Sequence, residues 1–152
     1  MDEANVPDVG TILETIRTMN EDELNDSFEK IIPRSRMPSD YLDQLNEKDR
    51  LTARRACLLA WFVTGGTQVP RDIQLQSCLA MFNGQDSLVY AGTGSGKTLP
   101  IALNILLEDP AKKRVTLMIS PLKTAPNYPS HQLPPVLLTF DSEIQSRRMI
   151  SI

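Results

Sequence analysis

An apolar run, SLVYA at residues 87–91, leads directly into the glycine-rich octet AGTGSGKT at 91–98, and the octet leads into TLPIALNILL at 98–107. This order constrains the fold more than any other feature of the chain. A short, uniformly apolar run reads as a strand buried on both faces, as in a parallel sheet. TLPIALNILL has the composition of a helix, with Pro100 in the first turn, where a missing N–H costs nothing. Glu108-Asp109-Pro110 ends that helix, and KKRVTLMISP at 112–121 supplies a second strand, VTLMI. A strand–turn–helix–strand unit closes with a right-handed crossover, which makes the two strands parallel. The predicted fold class is therefore α/β.

The octet has its own chemistry. Glycines let successive backbone N–H groups converge on phosphate oxygens, and the start of the following helix adds the positive end of its dipole. The predicted nucleotide-binding residues are Gly92, Thr93, Gly94, Ser95, Gly96, Lys97 and Thr98. Lys97 is placed to neutralise the β- and γ-phosphates, and the Thr98 hydroxyl to hold the Mg²⁺ that bridges them. These two residues are the candidate catalytic pair, with Thr98 the metal ligand. The octet departs from the strict pattern G-x-x-x-x-G-K-[ST] at its first position, where Ala91 stands for glycine.

Ala91 opening A-x-x-G-x-G-K-T resembles motif I of superfamily 2 helicases, the DEAD/DEAH-box and RecQ-like group. Gln74, in PRDIQ, lies 17 residues before Ala91 and four after Pro70, a spacing similar to that family's Q motif. The resemblance implies ATP as the nucleotide, because a glutamine amide donates and accepts simultaneously and so complements adenine rather than guanine. GQDSLV at 84–89 is similar to the family's approach to the strand, and ISPLK at 119–123 to motif Ia of the RecQ-like branch. Ser120, Leu122 and Lys123 are the positions that this likeness would set against single-stranded DNA. The implied architecture is an incomplete RecA-like parallel sheet carrying a P-loop, preceded by a helical segment. The implied cofactors are ATP and Mg²⁺, and the implied location is intracellular, nuclear for a eukaryotic RecQ-like protein.

The remainder of the chain is of other character. Residues 1–50 hold 13 acidic and 6 basic side chains; residues 51–152 hold 6 acidic and 10 basic. Residues 1–66 read as an acidic helical segment: apolar spacings of three and four across 9–32 predict one or two amphipathic helices. Pro33 and Pro38 break the pattern, Ser39-Asp40 starts a helix running to Val63, and Gly65-Gly66 stops it. A helix over 72–82 follows, ended by Asn83-Gly84. Residues 67–123 form the partial ATP-binding domain, and 124–152 a proline-rich tail. Five prolines between 121 and 135 exclude a long helix or central strand there, leaving an extended or disordered connector.

Other functions are poorly supported. The longest apolar run, ACLLAWFV at 56–63, is too short to span a bilayer, so no membrane role is expected. Cys57 and Cys78 form no CxxC and read as buried thiols, and the one histidine, His131, lies in a loop-like stretch. No DE-x-[DH] sequence occurs; Asp141 and Glu143 in LLTFDSEI imitate it only loosely. The switch at Lys123-Thr124 is expected of a truncated helicase, and a RecA-like sheet is not completed in the 54 residues after Thr98. The different-class alternative is a non-catalytic interaction module that keeps the turn as a relic. A thin balance between burial and chain entropy predicts a marginal domain, protected mainly over 72–119.

Overall fold

The computed structural model describes residues 8–89, 94–112, 116, 118–119 and 150–151. The chain divides into two compact units, Met1–Lys113 and Arg114–Ile152. Among the described residues the first unit is helical: α1 (Val9–Thr18), α2 (Glu21–Ile31), α3 (Ser39–Leu42), α4 (Glu47–Val63), α5 (Asp72–Phe82) and α6 (Thr98–Leu107). Short 3₁₀ turns occupy Arg34–Arg36 and Pro110–Lys112. In the second unit β1 (Met118–Ile119) pairs in parallel with β2 (Ile150–Ser151), Met118 opposite Ile150.

Local sequence explains where the helices start. The Asp8 carboxylate accepts the Gly10 N–H at 3.2 Å and opens α1. Asn20 and Glu23 form a reciprocal capping box at α2, where the Glu23 N–H donates to Asn20 Oδ1 at 2.9 Å and the Asn20 N–H to Glu23 Oε2 at 3.2 Å. Three acids in the first turn of α2 and Lys30 in its last complement the helix dipole. The helix expected to run unbroken from Ser39 does not. It stops at Leu42 and restarts at Glu47, because Asn46 leaves the helical conformation and its side chain accepts the Asp49 N–H at 3.0 Å.

The core is built around α4, which packs against α1, α2, α5 and α6. Ala53, Ala56, Cys57, Leu58, Leu59 and Ala60 are all buried, so over 56–60 this helix is apolar on every side, while residues 47–55 carry its charges. A helix surrounded by others needs that distribution, and its three alanines let the neighbours approach. Ile16 from α1, Leu24 and Phe28 from α2, Leu75 and Cys78 from α5, and Leu103 from α6 complete the cluster. Two arginines close gaps between helix ends. Arg55 donates from Nε to the Ile16 carbonyl (3.0 Å) and from Nη2 to that of Met19 (2.9 Å), satisfying the end of α1. Arg17 Nε donates to the Leu106 carbonyl at 2.6 Å, tying α1 to the last turn of α6. Burial lowers the pKa of Arg55 from its usual value.

Several expectations need correction. Residues 85–89 carry no strand, and Leu88 is 86% exposed. The strand expected beside them, VTLMI, is represented by β1, whose partner is β2. Without a neighbour's hydrogen bonds an apolar run has no reason to stay extended and buried. The parallel pair of SLVYA with VTLMI is thus absent among the described residues, and within the first unit α4, α5 and α6 pack on one another and on other helices. The expected protection mainly over 72–119 leaves out part of the core, because the buried set begins at Ile16 and centres on α4.

Candidate nucleotide site

The site begins at the start of α5. Pro70 is fully buried, and the first turn of the helix brings Gln74 back over it. Gln74 Oε1 accepts the Arg71 N–H at 2.8 Å, so the side chain satisfies a donor that every helix N-terminus leaves open. That contact directs the amide nitrogen outward, where Nε2 donates to the carbonyls of Ser95 (3.2 Å) and Gly96 (3.1 Å). Gln74 is only 8% exposed. The two landmarks read separately in the sequence are therefore in direct contact.

The phosphate turn shows why glycines stand in it. Gly94 has φ +81° and Gly96 φ +76°, the left-handed region that side chains rarely adopt. They differ in surroundings. Among the described residues a Cβ at Gly94 would meet nothing within 4 Å, whereas one at Gly96 would lie 2.5 Å from Gln74 Nε2. Lys97 caps α6 with αR dihedrals, Thr98 is its first residue and is exposed, and the Leu99 N–H donates back to the Gly96 carbonyl at 3.1 Å. The Ser95 hydroxyl is buried without a hydrogen-bond partner among the described residues. A buried hydroxyl with open donor and acceptor capacity, at the head of a ten-residue helix, fits a phosphate group.

Beside Gln74 opens a groove of about 510 Å³, walled by Val69–Ile73 on one side and by Arg36 and Pro38 on the other. No sequence signal points to Arg36 here, since it lies 38 residues before Gln74 in a proline-bounded turn. In this conformation both Nε2 hydrogens of Gln74 are directed at the turn and Oε1 keeps one lone pair open, so adenine recognition by this amide requires an exchange of partners.

Gly92, Thr93, Ser120, Leu122 and Lys123 lie outside the described residues, as do Asp141, Glu143 and His131. Among the described residues no group of three or more His, Cys, Asp or Glu side chains could hold a metal, so Mg²⁺ would rest on Thr98 and on phosphate oxygens. No described helix is long and apolar enough to cross a membrane. Cys57 and Cys78 are free and buried, as the sequence suggested. Burial pushes both thiols up, Cys78 to about 12, and Cys57 is raised further by its neighbour Cys78.

Residues 71–125, which contain both Gln74 and the octet, match the family model of the DEAD/DEAH box helicases. This supports the superfamily 2 reading and implies a RecA-like α/β fold, although the described part of the matched segment holds α5, α6, a 3₁₀ turn and only the two-residue strand β1. Among curated relatives, the chain is 37% identical over 89 residues to the mouse protein named "Probable ATP-dependent RNA helicase DDX52", and equally to its rat counterpart. The bovine protein of the same name is 36% identical over 89 residues. The aligned stretch is 57% of this chain and 14% of each relative, so the chain spans about one seventh of their length. These relatives carry RNA helicase names, whereas ISPLK had pointed to a RecQ-like DNA helicase. No solved structure matches the chain.

Proposed function

We propose that the chain is the nucleotide-gripping part of an ATP-dependent helicase of the DEAD/DEAH-box group that acts on RNA. The observation carrying this reading is the contact between Gln74 and the carbonyls of Ser95 and Gly96, which joins the base-reading position to the phosphate turn. A glycine-rich turn kept only as a relic would need neither that contact nor a Gly96 with no room for a side chain. Bound ATP-Mg²⁺ would supply the phosphoanhydride whose cleavage powers strand separation. The chain's own residues would hold it: backbone N–H groups of 94–98 and the Ser95 hydroxyl on phosphate oxygens, Lys97 on the β- and γ-phosphates, and Thr98 on the metal. Adenine would draw the Gln74 amide away from the turn, coupling the base to the loop that grips the phosphates.

Binding without turnover is expected, because no DE-x-[DH] sequence is present to orient a water. The RNA assignment rests on the names of the relatives; the single-stranded DNA reading rests on Ser120, Leu122 and Lys123. Titration of the chain with labelled ATP-Mg²⁺ and GTP-Mg²⁺, with and without single-stranded RNA or DNA, tests all of this. ATP preference lost in Gln74→Ala, binding lost in Lys97→Ala, and RNA favoured over DNA are the expected results. Equal binding of ATP and GTP refutes the Gln74 assignment, DNA preference restores the RecQ-like branch, and no nucleotide binding favours the non-catalytic module.

A further inference from the structure

We infer that Arg36, delivered by the turn between α2 and α3, is a stacking platform for the adenine base. This rests on the ATP-binding reading above and names a specificity residue for that site. The guanidinium lies over the Trp61 ring, 5.7 Å from its centroid. Its Nη1 donates to the Thr67 carbonyl. Trp61 is backed in turn by the Gly65-Gly66 turn, since a Cβ at Gly66 would touch the indole at 3.5 Å. Arg36 also lines the groove beside Gln74, and Trp61 does not. The groove therefore meets this stack at its cation.

The Arg36 guanidinium is a flat, weakly hydrated cation, and stacked on Trp61 at the edge of the groove it suits a planar π-system better than it suits a point charge. The rest of the groove has the same preference. Pro38, Val69 and Pro70 give it apolar surface against which a ring can lie, between the charged Arg36, Arg71 and Asp72. Its position is right for a nucleotide whose phosphates lie on the turn: Arg71 to Ile73 line the groove, and the next residue, Gln74, reaches Ser95 and Gly96. A nucleotide with its phosphates on the turn and its base beside Gln74 would have that base at the groove that Arg36 lines. The acidic helical segment thus contributes to the site rather than merely preceding it.

Trp61 is the only tryptophan in the chain, so its emission reports on this stack directly. The test titrates the 152-residue chain with ATP-Mg²⁺, adenosine and inorganic tripolyphosphate, following Trp61 fluorescence and, independently, equilibrium dialysis. The expected result is a Trp61 change with ATP and adenosine but not with tripolyphosphate. Arg36→Ala should weaken ATP roughly tenfold and leave tripolyphosphate unaffected, whereas Lys97→Ala should weaken both. Arg36→Lys keeps the charge and loses the plane, so it should behave like Arg36→Ala; it also covers the case in which the alanine variant loses its helical circular dichroism. Unchanged ATP affinity in Arg36→Lys, alongside a loss in Lys97→Ala, overturns the platform while leaving the ATP site standing. Equal losses for ATP and tripolyphosphate in the Arg36 variants make Arg36 a phosphate contact and also overturn it. A Trp61 response to single-stranded RNA but not to adenosine assigns the stack to the nucleic acid instead. Absence of any ATP binding by the unmodified chain removes both readings.

Discussion

Gly96→Ala is the substitution that most directly tests how the site is built. Two costs arise at this position. Alanine at φ +76° enters the left-handed region, worth roughly 1–2 kcal/mol. Its Cβ would also stand 2.5 Å from Gln74 Nε2, well inside contact distance. The obstructing atom is the far end of a flexible side chain, but Gln74 is buried and held by the Arg71 N–H, so the amide yields only by giving up its donations to Ser95 and Gly96. Two such hydrogen bonds contribute roughly 0.5–1.5 kcal/mol each. The expected destabilisation is about 2–5 kcal/mol, measured by urea unfolding followed by far-UV circular dichroism. Gly94→Ala is the internal control: its φ is +81° but the space around it is open, so only the conformational cost of roughly 1–2 kcal/mol applies. In a Gln74→Ala background, Gly96→Ala should fall to the same cost, giving a coupling of about 1–3 kcal/mol between positions 74 and 96. Equal losses at positions 94 and 96, or no coupling in the double variant, would refute the idea that Gln74 holds the turn.

Three further outcomes are expected. Leu58→Ala, in the fully buried face of α4, should cost about 2–5 kcal/mol in urea, while Leu88→Ser, at an exposed position, should stay within about 0.5 kcal/mol. Arg55→Met keeps the length of the side chain but leaves the Ile16 and Met19 carbonyls without their donors; a loss of roughly 1.5–3 kcal/mol is expected, with the α1 amides gaining hydrogen exchange first. The thiols of Cys57 and Cys78 titrate near 9 when exposed and are raised by burial, Cys78 to about 12. The folded state thus holds protons that the unfolded state releases. Their contribution is complete below about pH 9 and declines as pH rises toward about 12, so the urea midpoint should fall as pH rises above about 9, and less so in the Cys57→Ala/Cys78→Ala variant.

What the sequence determined by itself is local. Asp8, Asn20 and Asn46 start helices because a short polar side chain reaches the open N–H groups of the first turn. Gly94 and Gly96 mark left-handed backbone in the phosphate turn, and Gln74 and the octet were legible as landmarks through residue type and spacing. The amphipathic pattern of 9–32 likewise foretold α1 and α2, since i to i+3 and i+4 spacing is a property of one helix alone. Tertiary structure decided everything that needs a partner distant in the chain. SLVYA has strand composition, yet residues 85–89 form no ladder, because a strand exists only through hydrogen bonds to another segment and β1 takes β2. The side of α4 on which residues 56–60 pack could not be read from its sequence, because a stretch of consecutive apolar residues has no marked face until other helices surround it. The same holds for Arg36, Arg55 and Arg17. A guanidinium on a long flexible stem carries no sequence signature of the carbonyl or ring it will meet, and only the packing of helices 30 to 90 residues apart brings each to its partner.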